Sequence, residues 1–98
     1  MPRFILQGTD ATTVSQHSNP KDLYHDLAIS APGTTGGTLT ITGKKVGADS
    51  FESIPDGVID LAAITSIQFT GGVESYQFAV SGFTGTGDIT VTDISQRA

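Results

Sequence analysis

The sequence predicts an all-β domain, an antiparallel two-sheet sandwich of immunoglobulin-like or small jelly-roll type. Three observations carry that prediction. Short alternations of apolar and polar residues recur along the chain, each bounded by Gly, Pro, Asn or Asp, which is the pattern of half-buried strands separated by turns. Thr, Ser and Gly are in excess, and the branched β-carbon of Thr is stiff in a way that suits a pleated surface. No segment carries a helical period of useful length. At 98 residues the chain suits one small core, so 1–98 is read as a single β-sandwich domain with a polar loop or arm over 10–21. The immunoglobulin-like type is the one expected, in architecture only, because the Cys and Trp that mark antibody domains are absent.

The elements follow in order. Residues 3–9 form a short strand, and 10–21 are polar with almost nothing to bury, so they are read as a loop or extended arm available to a partner. Residues 22–30 place Leu23, His25, Leu27 and Ile29 on one face, a period of two interrupted by the histidine. A turn region at 31–37 precedes the clearest strand, in which Leu39 and Ile41 point inward and Thr38, Thr40 and Thr42 outward. Residues 48–54 are a weaker strand, ended by a tight turn at Pro55-Asp56-Gly57, where Pro presets φ and Gly accepts a positive one. Val58, Ile59 and Leu61 then rejoin the core. Residues 64–70 and 74–81 flank Gly71-Gly72, which predicts a hairpin with Ile67 and Phe69 facing Tyr76, Phe78 and Val80. A glycine-rich turn at 82–88 leads to a last strand, with Ile89 and Val91 alternating with Thr90 and Thr92, that closes the sheet. Six to eight strands result, and their order is open to several Greek-key and jelly-roll topologies.

Composition narrows the function. The chain has no cysteine, so it uses neither disulfides nor thiolate metal sites. Its apolar start, Phe4-Ile5-Leu6, is far shorter than a signal-peptide core, and no stretch approaches the roughly 20 apolar residues of a membrane helix, so a soluble chain that does not follow conventional secretion is expected. Net charge is −5, and residues 46–96 hold seven acids (Asp49, Glu52, Asp56, Asp60, Glu74, Asp88 and Asp93) with no Lys or Arg. Nucleic acid is therefore not an expected partner, since phosphate backbones are held by clustered cations, and neither is a membrane. The basic pair Lys44-Lys45 solvates a strand end.

No motif brings chemistry with it. Gly37 to Lys45 looks like a phosphate loop, but it has five residues between glycines and no Ser or Thr after Lys44, and its alternation says strand. Gly82, Gly85 and Gly87 precede a strand rather than the helix that would receive a pyrophosphate, so they read as a turn. Asp49, Asp56, Asp60 and Asp88 could supply oxygens to calcium, against the simpler reading of a solvated acidic face. His17 and His25 lack the further ligands of a zinc site, and His25 is read as a partly buried imidazole hydrogen-bonded to a neighbour. Ser81 lacks the setting of a nucleophile elbow. Tyr24, Tyr76, Phe51 and Phe83 could form a sugar-stacking platform, against the reading of core aromatics. We assign no catalytic residue, no cofactor and no metal ligand, and expect a protein that is not an enzyme.

The segments Phe51 to Leu61, Ser66 to Gly71, Tyr76 to Gly82 and Gly87 to Asp93 resemble small structural proteins of tailed bacteriophages, which are short, cysteine-free, Thr- and Gly-rich sandwiches, made in the host cytoplasm without a signal peptide and ordered by assembly into the virion. The resemblance covers roughly the C-terminal half. It implies a virion structural protein, most specifically a capsid decoration or stabilising protein acting as a homo-oligomer through contacts with capsid or tail subunits. The alternatives are a tail or neck accessory protein, or a glycan- or host-surface-binding module.

Overall fold

A computed structural model describes residues 3–16, 24–63 and 65–94. They form eight strands: β1 (Arg3–Leu6), β2 (Ala11–Gln16), β3 (Tyr24–Ser30), β4 (Thr34–Lys45), β5 (Glu52–Asp60), β6 (Thr65–Thr70), β7 (Val73–Gly85) and β8 (Ile89–Asp93). The pairing follows one rule. β1 pairs with β8, β2 with β7, β3 with β6 and β4 with β5, all antiparallel. The chain is thus doubled back about the β4–β5 connection into one long ribbon. That ribbon is rolled up, and pairs β3–β8 and β4–β7 close the roll. The outcome is two four-stranded sheets, sheet A in the order β1-β8-β3-β6 and sheet B in the order β2-β7-β4-β5. This is a jelly roll, not the immunoglobulin-like arrangement that was the preferred expectation. The correction lies in connectivity: apart from β4–β5, every consecutive pair of strands crosses from one sheet to the other, where immunoglobulin sandwiches keep several neighbours in one sheet.

The inward faces follow the alternation. Leu27 and Ile29 from β3, Ile67 from β6, and Ile89 and Val91 from β8 meet Leu39 and Ile41 from β4, Ile59 from β5, and Tyr76, Phe78 and Val80 from β7. Each such side chain taken out of water contributes roughly 1.5–3 kcal/mol, which is how a small domain without cross-links gains its stability.

Several local expectations are corrected. Residues 11–16 are a strand, not a loop or arm: Ala11↔Val80 through Gln16↔Ser75 are in register on β7, and residues 17–21 of the expected arm lie outside the described residues. Residues 34–37 extend β4 rather than forming a turn, whereas the weak strand at 48–54 begins only at Glu52. Pro55-Asp56-Gly57 does not end its strand. Thr42↔Ser53 and Thr40↔Val58 are consecutive pairs on β4 and β5, so residues 54–57 bulge out opposite Ile41 alone. The positive φ falls on Asp56 (58°), a residue type that tolerates it. Gly57 is needed for a different reason: a Cβ there would meet the Ile41 carbonyl oxygen at 2.5 Å. Val58, expected in the core, points outward, while Ile59 and Leu61 are buried. Gly71-Gly72 do not make a paired hairpin either, because β6 lies in sheet A and β7 in sheet B; Phe69 and Tyr76 do face each other, across the sandwich, with ring centroids 6.5 Å apart. β8 lies between β1 and β3, joining the first strand to the rest of its sheet.

Candidate functional site

The aromatic residues assemble inside the sandwich rather than on it. Tyr76 is fully buried on β7, with Phe4 of β1 edge-on at 6.0 Å, Phe69 of β6 at 6.5 Å and Phe78 tilted at 5.9 Å. His25, inward on β3, stacks on Phe69 at 4.6 Å with an interplanar angle of 17°. Its Nε2 lies 2.6 Å from the Gly71 carbonyl oxygen, and its Nδ1 lies 3.2 Å from the Tyr76 hydroxyl. A carbonyl only accepts, so Nε2 carries the hydrogen, and Nδ1 is left to accept from the Tyr76 O–H. Both ring nitrogens are thus committed to holding the β6–β7 connection onto the core. His25 is hydrogen-bonded to neighbours as read from the sequence, and is fully rather than partly buried.

The sugar-stacking platform is not assembled. Tyr76 belongs to the core, Tyr24 pairs with Thr70 beside Gly71 at one end of the sandwich, and Phe83 lies against Gly8 and Gly37 at the other. Nor are the acids gathered: Asp49, Asp56, Asp60 and Asp88 are each exposed, the Asp60 carboxylate accepts the Ala62 N–H at 2.9 Å, and no group of three His, Cys, Asp or Glu residues suited to a metal occurs among the described residues. Ser81 is exposed on the outer side of β7, and the Gly37 to Lys45 segment is strand throughout. Lys44 and Lys45 end β4 and pair with Glu74 at 3.5 Å and Glu52 at 3.4 Å. His17 lies outside the described residues.

Two surface features among the described residues bear on function. The first is a cleft of about 410 Å³ where β5 and β6 meet, floored by Ile54, Phe69 and Val73 and rimmed by Pro55, Lys45 and Glu52. Gly43 opens it, since a Cβ at that position would stand 3.2 Å from Ile54 Cδ1. The charged groups lining it are already paired with each other, so it offers apolar contact and no nucleophile paired with a base. Sequence reasoning missed it because it depends on which strands lie beside one another.

The second is the outer face of sheet B together with its β2 edge. Paired residues share a face, so Thr12 and Val14 of β2, Gln77 and Ala79 of β7, Thr40 and Thr42 of β4, and Val58 of β5 form one surface. It is uncharged between Asp60 at one end and Lys44 at the other. Val14 is 56% exposed and Val58 72%. β2 is also uncovered on its inward side, where Ala11 and Thr13 are exposed. Its start is held by Asp10, whose two carboxylate oxygens accept the backbone N–H groups of Gly82 and Phe83 at 3.2 and 2.9 Å. The Thr-rich alternation of these strands was the available signal for the uncharged face.

Compared with known protein families, curated proteins and solved structures, the chain matches none. The chain is thus defined by its architecture, which among the described residues is an eight-stranded jelly-roll sandwich.

Proposed function

We propose that this protein is a non-enzymatic structural subunit of a bacteriophage virion, most specifically a capsid decoration or stabilising protein working through protein–protein contacts. Jelly rolls build viral capsid domains but also lectins and cupins, so fold alone chooses no function. The observation that carries the reading is the Thr-rich face of sheet B, uncharged between its ends and bordered by exposed Val14 and Val58. On a chain of net charge −5, a face whose paired Thr, Gln, Ala and Val residues carry no charge, with Asp60 only at its end, is where a subunit seats against another protein with little like-charge repulsion. The resemblance of the C-terminal half to small phage structural proteins supplies the setting. The buried aromatics give no comparable support to the glycan-binding alternative.

The test is cryo-electron microscopy of intact particles from the source of the gene. Copies at repeated capsid lattice points are the expected result. A single ring at the neck or tail would move the protein to a connector role, and absence from the particle would remove the virion reading.

A further inference from the structure

The cleft where β5 and β6 meet has a definite chemistry. Its floor of Ile54, Phe69 and Val73 is apolar, and Phe69 is held in place by the His25 ring stacked on it at 4.6 Å. Its charged side chains, Lys45 and Glu52, lie 3.4 Å apart and offset each other, so an ion entering would lose water without gaining a free counter-charge. One directed polar group stands on the wall. The Gly71 carbonyl is turned inward, 2.6 Å from His25 Nε2. The Gly71–Gly72 peptide is trans, so the Gly72 N–H points the opposite way, out of the core. Gly72 is half-buried and lines the cleft, and no acceptor among the described residues takes its N–H. A half-buried backbone donor calls for an acceptor, and in a cleft whose charges are already offset that acceptor is a neutral oxygen.

We propose that this cleft receives an uncharged apolar side chain of a partner protein, whose adjoining backbone carbonyl accepts from the Gly72 N–H. The apolar floor and the offset charges select the side chain, and the N–H selects the carbonyl beside it. The open rim selects a protein segment over a free small molecule. Val46, Ser53, Pro55 and Thr70 around the mouth are exposed, whereas a small-molecule site covers most of its ligand. A side chain projecting from a partner brings its own protein to cover the rest. The volume of about 410 Å³ admits an aromatic or branched side chain, and Gly43 preserves that room, since a Cβ there would stand 3.2 Å from Ile54 Cδ1. Strand addition to β5 is closed off at this place, because Pro55 and the bulge at 54–57 break the edge. The occupant is therefore an inserted side chain and not an added strand.

The inference deepens the proposed function and rests on it for the partner being an assembly neighbour, while the chemistry of the cleft is measured on the purified full chain without particles. The probe is N-acetyl-L-phenylalanine amide, which carries an apolar ring and neutral carbonyls, titrated against the isotope-labelled protein and followed by the amide resonances. Saturable shifts at Gly43, Ile54, Gly71, Gly72 and Val73 are expected, with the Gly72 N–H moving downfield and dissociation at roughly 1–10 mM. Toluene, which has the ring without the carbonyl, and phenylacetate, which adds a charge, are each expected to bind at least threefold more weakly. Gly43→Ala and Val46→Asp are each expected to weaken the probe at least threefold. If Gly43→Ala fails to fold, Val46→Asp at the exposed rim decides. Shifts that do not saturate, or that centre away from the cleft, overturn the proposal, as does unchanged binding in Val46→Asp. Equal affinity for toluene overturns the role of the Gly72 N–H, and tighter binding of phenylacetate overturns the neutral occupant. A chain found on particles whose cleft ignores the probe removes this inference alone, and a chain that binds the probe but is absent from particles removes the virion reading alone.

Discussion

β2 and β5 are the two edges of one sheet, and both show a valine to solvent, yet they are built on opposite principles. β5 packs its inner side, burying Ile54 and Ile59, and breaks its outer rim with a bulge. β2 packs almost nothing on either side and leaves its rim regular. An edge that is stable alone is made unattractive to other strands. An edge that gains little from its own core is left open, and a two-residue backbone anchor from Asp10 compensates for the missing packing. Stability and availability are thus divided between the two margins of sheet B.

The largest test of this contrast falls on the bulge. Gly57→Ala places a Cβ against the Ile41 and Ile54 carbonyl oxygens, at 2.5 and 2.9 Å, in a stretch where β4 cannot retreat because β7 holds its other side. The expected loss is about 2–4 kcal/mol, or a fall in melting temperature of roughly 8 °C or more for a domain of this size. Thermal unfolding followed by circular dichroism reads it. A fall of less than 2 °C would mean that the bulge adapts freely and is no fixed guard.

A smaller loss is expected at the other margin. Asp10→Ala removes the acceptor for two N–H groups at the surface, worth about 1 kcal/mol, and its signature is local. Hydrogen exchange should quicken across β2 and remain unchanged in β5, and Asp10→Asn, which keeps one acceptor oxygen, should restore part of the protection. Uniform quickening throughout both sheets would show that β2 is a full member of the core and not a separately anchored strip.

The contrast also explains what the sequence revealed. Strands with one buried side announce themselves by alternation, which is why β3, β4, β7 and β8 are legible from Leu27, Ile41, Phe78 and Val91. β2 has no buried apolar side, so Thr-Thr-Val-Ser looks like a loop; its order comes from β7, about 60–70 residues away in the chain, to which the adjacent Asp10 ties it. Pro55-Asp56-Gly57 has the residue chemistry of a turn, and local chemistry does not distinguish a turn that reverses the chain from a bulge that lets it continue. Gly71-Gly72 likewise gives a reversal without saying whether the next strand joins the same sheet or the facing one. The buried role of His25 was readable because it sits in an apolar period. The cleft and the open edge were not, since both arise from neighbours set by the rolling of the ribbon.

The smallest effect asks which of β5's devices does the guarding. Lys45 and Glu52 flank the bulge as an exposed ion pair at 3.4 Å, and such pairs contribute about 0–1 kcal/mol. A double-mutant cycle with Lys45→Ala and Glu52→Ala should give a coupling under about 0.5 kcal/mol that shrinks further in high salt. If the backbone irregularity alone keeps β5 unpaired, the doubly substituted chain gains no new association, because residues 54–57 still cannot align with a straight partner strand. A new dimer sensitive to Val58→Lys would show instead that charge protects this edge. The regular, uncharged β2 would then differ from β5 by its side chains more than by its backbone.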